Sequence, residues 1–401
     1  MHKNETRPGY KKTKVGWIPE GWEETYLGKI CDLQSGKFIA ASAILEGKEK
    51  NSFPCFGGNG LRGYVDSYSH DGNYPLIGRQ GALCGNVCWA SGKFYATEHA
   101  VVATPTEKTA SKWLYYKLDH LNLNKYATGV AQPGLSVQVL NQVASPLPPL
   151  PEQEAIAEVL ECRDRGIRNL ECKIVKKQLI KKGLMQKLLS GKIRLPGFSK
   201  DWKTVKVKSF ASLTAGGTPS TNQPEYWGGK IPWMSSGDLN LRRVFDVQGR
   251  ITEKGLQNSS TKYIPKHSVL IGLAGQGKTR GTVAINEIEL CTNQSVAAIM
   301  PDAKKVFYHF LYANLDSRYN ELRRMSAGDG GRGGLNLSLL GKLTISLPSL
   351  EEQRAIAEVL SAADREIEAL EKKLALWKEQ KKYLLNNLVT GTLRLPAFAG
   401  K

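Results

Sequence analysis

Residues 272–279 read GLAGQGKT, the G-x-x-x-x-G-K-T spacing that cradles nucleotide phosphates. Such a cradle works because a helix begins directly behind it and turns its free N–H groups on the anion. Here the following residues, Arg280-Gly281-Thr282-Val283-Ala284-Ile285, are glycine and β-branched types that read as strand. No apolar strand ending in Asp stands downstream to hold magnesium, since Ala297–Asp302 carries Pro301. The corresponding earlier turn, GRQGALCGNV (78–87), lacks the Gly-Lys-Thr. The spacing therefore predicts a tight turn between strands, with Lys278 and Arg280 facing a nucleic-acid backbone. A P-loop ATP-dependent nucleic-acid enzyme is the alternative.

No other constellation suits catalysis. Six histidines are scattered without an H-E-x-x-H, and no G-x-S-x-G elbow, clustered carboxylates or Asn-Pro-Pro-aromatic tetrad is present. Cys84 and Cys88 have no second Cys/His pair to complete a zinc site. The seven cysteines read as small core residues of a reducing cytoplasm. Asp238 and Asp246 fall in a polar, basic loop and read as solvated. The expectation is a non-catalytic chain that binds no metal or cofactor itself.

What remains is side chains that read base edges and grip phosphates. Base edges are bonded by Arg, Lys, Asn and Gln, and phosphates by Lys, Arg, Ser and Thr. In the first half of the chain the candidates are Asn59, Arg62, Arg79, Gln80 and Gln132. In the second half they are Ser236, Arg242, Arg243, Gln276, Lys278, Arg280, Arg323, Arg324 and Arg332. Arg332, in a glycine loop, answers Gln132. The net charge of +19 favours an anionic partner, nucleic acid first. No apolar run approaches the length of a membrane span, and the basic N-terminus lacks the apolar stretch of a signal peptide, which predicts a cytoplasmic protein with no membrane partner.

The elements that position these loops are written twice. LPPLPEQEAIAEVL (147–160) returns as LPSLEEQRAIAEVL (347–360), with 11 of 14 positions identical, and GKIRLPGF (191–198) returns as GTLRLPAF (391–398). Each block opens a helix of some 38 residues, roughly 57 Å long. Apolar residues alternate in steps of four and three, from Ile156 to Leu188 and from Ile356 to Leu388, as in a coiled-coil seam. Arg163, Lys177, Lys181 and Lys381 interrupt the seam. Prolines 148, 151 and 348 precede the helices, and Gly191 and Gly391 close them. Neither helix can bury its stripe alone, so an antiparallel pair with a pseudo-twofold axis is expected. The intervening stretches read as two copies of one α+β fold. Gly21-Trp22 answers Asp201-Trp202, 86–89 answers 282–285, and the helix 112–121 answers a helix 306–325.

The doubled helix-entry block, with Gly16–Trp22 and Arg194–Phe198, resembles the specificity subunit of type I DNA restriction–modification systems over essentially the whole chain. The resemblance implies two target recognition domains, 1–146 and 195–346, joined by helical spacers 147–194 and 347–401. It implies double-stranded DNA as ligand, with a bipartite, asymmetric target. Two modification (methyltransferase) subunits would carry S-adenosylmethionine, and two restriction (motor–nuclease) subunits would use ATP and magnesium. Glu152, Gln153, Ile156, Glu352, Gln353 and Ile356 match the family's block and are expected as frame and docking residues. A stand-alone coiled-coil DNA-binding scaffold is the remaining alternative.

Overall fold

The structure, a computed structural model, describes residues 7–81, 83–129, 133–275, 279–325 and 334–399. They divide into two compact units. The first holds residues up to Glu171 together with those from Lys372, and the second holds Cys172–Glu371.

In the first unit a six-stranded sheet runs in the order Cys31–Ser35, Ala100–Pro105, His70–Gly78, Val87–Ala96, Phe53–Gly57, Gly60–Val65. Only Phe53–Gly57 runs parallel to its neighbour, Val87–Ala96. The strands alternate with period two between faces that are both covered. Ile77, Val101 and Ala103 pack towards Trp113, Leu114 and Leu118 of the helix Ser111–His120. Leu76, Ala100 and Val102 pack on the other side with Phe94.

The second unit repeats this order with different trimmings. Its five-stranded sheet runs Ala211–Ala215, Val296–Pro301, Val269–Gly272, Val283–Asn286, Arg243–Val244, with the last pair parallel, as Val87–Ala96 and Phe53–Gly57 are in the first unit. Ile271, Ala297 and Ile299 face Phe310 and Leu311 of the helix Tyr308–Ser317. Leu270, Val296 and Ala298 face Met234 and Leu239. In place of the hairpin strand Gly60–Val65, this unit has a separate sheet of Arg250–Ile251, Trp227–Met234 and Cys291–Thr292. In both units a short antiparallel pair ties the start of the module to its end. Glu23–Tyr26 pairs with Ala144–Leu147, and Lys203–Lys206 with Thr344–Leu347. The expectation of two copies of one α+β fold holds for the five strands that the two main sheets have in common.

Two details differ from expectation. The second module's helix is not continuous from 306 to 325. It breaks at Arg318 into Tyr308–Ser317 and Tyr319–Met325, where the Arg318 side chain turns to the Thr344 carbonyl (2.8 Å) and to Glu321. Pro151 does not precede the first long helix but lies in its first turn, where a missing N–H costs nothing.

The long helices are Leu150–Leu188 and Leu350–Leu388. Each ends on a left-handed glycine, Gly191 (φ +70°) and Gly391 (φ +76°). Within the first unit, the first half of one helix meets the last half of the other in antiparallel register, with Lys381 bonding Asp164 at 2.7 Å and Lys378 bonding Glu171 at 2.6 Å. Within the second unit the pairing is again antiparallel, with Lys177 on Glu366 at 2.7 Å and Lys181 on Asp364. The charge pattern explains the direction. Residues 172–188 carry six lysines and no acid, and they face 350–371, with seven acids and two arginines. Residues 372–388 carry five lysines and one acid, and they face 150–171, with six acids and three arginines. A parallel pair would set like charge on like. The polar seam residues thus find partners across the pair, and Arg163 lies 5.3 Å from the centre of the Trp377 ring.

Candidate functional site

The doubled block builds a buried clamp in each unit. Glu152 is fully buried, and its carboxylate accepts from Arg394 Nε (2.9 Å), Arg394 Nη2 (2.8 Å) and Trp22 Nε1 (2.9 Å). Glu352 does the same with Arg194 Nε (2.6 Å), Arg194 Nη2 (2.7 Å) and Trp202 Nε1 (3.3 Å). The carboxylate bond raises each arginine above its usual pKa, opposed by desolvation. The neighbouring glutamines satisfy backbone groups that no strand or helix can. Gln153 Oε1 accepts from the Ala110 N–H, and Nε2 donates to the carbonyls of Lys108 and Pro148. Gln353 repeats the pattern on Phe307, Lys305 and Pro348. In both cases the bonded N–H is that of the residue capping the module's helix.

Ile156 and Ile356 lie in the hydrophobic cores of their units. All six residues expected as frame and docking groups are therefore buried in their own unit, and the docking role is corrected. Their side chains are spent on holding the module to the helix pair, out of a partner's reach.

Among the base-reading candidates, the first unit brings three together. Asn59, Arg62 and Gln80 line one open cleft of about 600 Å³, with Gly57–Leu61 on one side and Gly81, Leu83 and His99 on the other. Arg79 is not among the residues lining it and donates to Ser35 Oγ at 2.8 Å. Gln132 lies outside the described residues.

In the second unit the candidates separate. Arg280 lies in the turn after Val269–Gly272, and that turn approaches the helix Tyr319–Met325, for a Cβ on Gly281 would lie 3.4 Å from Arg323 Cγ. Arg323 donates to the Tyr319 hydroxyl at 2.7 Å, and Arg324 is exposed on the same helix. Ser236 opens a 3-10 turn, Ser236–Leu241, capped by Ser235 and Asp238. Arg242 and Arg243 each meet an acid of their own unit. Arg243 bonds Glu287 at 3.0 Å, and Arg242, strained at φ +60°, pairs with Asp316 at 3.5 Å. Both line a small cavity against the helix pair, beside Lys181, Tyr312 and Asp364. Burial pushes the Asp316 carboxyl up even against Arg242. Gln276, Lys278 and Arg332 lie outside the described residues.

The nucleotide-loop alternative fails on geometry. Thr279–Gly281 form a turn, Gly272 N–H bonds the Thr282 carbonyl, and Val283–Asn286 is a strand antiparallel to Val269–Gly272. Among the described residues, no helix N-terminus follows the motif. Among the described residues, no group of three or more His, Cys, Asp or Glu could hold a metal, and no helix is long and apolar enough to cross a membrane.

Sequence reasoning missed His99 and Leu83 in the cleft, and both clamp arginines and tryptophans. The arginines were signalled by the repeated Arg-Leu-Pro after each helix.

Two modules of one strand order, each locked by the same clamp to the antiparallel helix pairing of its own unit, define a duplicated recognition scaffold. The sequence profile of the type I restriction modification DNA specificity domain matches the chain twice, at residues 19–177 and 199–376, and the chain belongs to that family. It is similar to the type I restriction enzyme EcoprrI specificity subunit of Escherichia coli, 48% identical over 143 residues, which is 35% of this chain and 35% of that protein. It is also similar to the putative MjaX specificity subunit of Methanocaldococcus jannaschii, 25% identical over 96% of this chain and 97% of that one. Its fold resembles the crystal structure of the S subunit of the type I system from M. genitalium, with a TM-score of 0.66 at 18% identity, covering 92% of this chain and 96% of that chain.

Proposed function

We propose that this chain is the non-catalytic DNA-specificity subunit of a type I restriction–modification complex, and that it reads a bipartite, asymmetric site. The observation carrying this reading is the pairing of sameness and difference in the two units. The strand order, the Glu–Arg–Trp clamp and the glutamine bridge are duplicated, while the loops at the candidate reading surface share neither length nor chemistry. A symmetric reader would take a palindrome, whereas two diverged readers on one frame take two unrelated half-sites. Asn59, Arg62 and Gln80 contact bases in one half. Arg280, Arg323 and Arg324 serve the other half, as base or phosphate contacts. The positive charge supplies sequence-independent affinity for the duplex.

Adenine methylation then falls to two modification subunits carrying S-adenosylmethionine, and cleavage to two restriction subunits using ATP and magnesium, in the cytoplasm. Replacing residues 1–146 with the corresponding module of another family member tests this. One half of the methylated target changes and the other stays. If both halves change together, the modular reading is wrong.

A further inference from the structure

We infer that His99, beside Glu98, is a specificity-determining residue of the first module, and that its cleft takes the major-groove edges of a step joining an A·T pair to a G·C pair. This rests on the reading just proposed. Three passages of chain meet there backbone to backbone. A Cβ on Gly78 would overlap the Gly58 carbonyl, one on Gly58 would lie 3.1 Å from the His99 carbonyl, and the Arg79 N–H bonds that same carbonyl at 3.0 Å. Such a floor cannot shift without breaking the sheet end, so side chains rising from it are held in fixed places, as base reading requires.

Those side chains carry a purine-reading set. The amides of Asn59 and Gln80 each offer the donor and acceptor that fit adenine N7 and N6, and Arg62 fits guanine O6 and N7. Leu61 and Leu83, both more than half exposed, put apolar groups at the rim where a thymine methyl would sit. The volume of about 600 Å³ is open enough to admit a groove edge.

His99 forms the remaining wall. Its side chain is 40% exposed, and Nε2 lies 3.1 Å from Glu98 Oε1. Beside it, Arg79 Nε, Glu98 Oε2 and His99 Nδ1 are buried with no hydrogen-bond partner among the described residues. Three such atoms in adjacent side chains leave unused hydrogen-bonding capacity at the foot of the cleft wall. The second unit has no histidine at the matching position, where Thr292-Asn293-Gln294-Ser295 stands for Thr97-Glu98-His99-Ala100. The contact is therefore private to one half-site.

The test uses the chain in complex with its modification subunit, selected against random duplex DNA, with wild type, His99→Ala and Glu98→Gln in parallel. The second half-site is the internal control. His99→Ala is expected to lower base preference about tenfold or more at one or two positions of one half, with the other half unchanged. Glu98→Gln is expected to loosen the same positions less. An unchanged profile in both halves, or uniform weakening on all sequences, overturns the inference. Failure of wild type to enrich any bipartite site overturns the functional reading instead. If His99→Ala loses both halves, the variant has misfolded and Gln80→Ala decides. It must relax the same half-site, and an intact profile overturns the inference.

Discussion

Arg394 and Glu152 stand 242 residues apart in the chain and are joined by two parallel N–H···O bonds of 2.9 and 2.8 Å, with the Glu152 side chain 1% exposed. The chain's last segment is thereby stitched to the entry of the first long helix. Arg194 and Glu352 make the same stitch in the second unit. Removing one partner strands a buried charge. Arg394→Ala is expected to destabilise the first unit by about 3–5 kcal/mol. Arg394→Lys should recover little of this, because an ammonium cannot reproduce the planar fork. Thermal unfolding of both variants checks this, and a midpoint within a degree of wild type would contradict it.

Gly166 and Gly183 both interrupt the first long helix, but their surroundings differ. A Cβ on Gly166 would overlap the Trp377 ring, whereas one on Gly183 would meet nothing within 4 Å. Gly183→Ala should therefore stabilise by up to about 1 kcal/mol through helix propensity. Gly166→Ala should instead cost about 1–3 kcal/mol through overpacking. Denaturant titration of the two variants should move in opposite directions, and parallel shifts would place Trp377 elsewhere.

Lys117 is buried, and its ammonium donates to the Val389 carbonyl at 3.3 Å. Burial, and then the nearby Lys125, pull its pKa down to about 7. Between that value and the ordinary lysine value, the unfolded chain binds a proton the folded chain does not, so stability rises with pH from about 7. Above about pH 9 the buried thiols Cys88 and Cys291, pushed up to about 11, begin to act in the opposite sense. Melting temperatures from pH 7 to 9 should climb for wild type and stay flatter for Lys117→Met, with the variant ahead at pH 7. Equal slopes would show that Lys117 is charged in the folded state.

The frame was legible in the sequence because duplication and periodicity are properties of the chain itself. Ile156 and Ile356, Gly191 and Gly391, and the strand pairs around 77 and 271 all stand where spacing placed them. The roles of Glu152 and Gln153 were not legible. A repeated polar pair looks the same whether it faces a partner or is buried against Trp22 and the Ala110 N–H, since its partners lie far off in sequence. The acids beside Arg242 and Arg243 were hidden for the same reason. The arginines' polar loop hides Asp316 and Glu287, which only the fold brings near. His99 was passed over because a lone histidine carries no spacing. The antiparallel direction was legible in the charge halves of the two helices, a signal that apolar periodicity alone does not contain.

The central claim is that two diverged readers share one frame. Selection from random duplex DNA by this chain together with its modification subunit tests it most directly. Two short, unrelated motifs at one fixed gap are the predicted result. A single palindrome, or no enrichment above a salt-sensitive background, would contradict it.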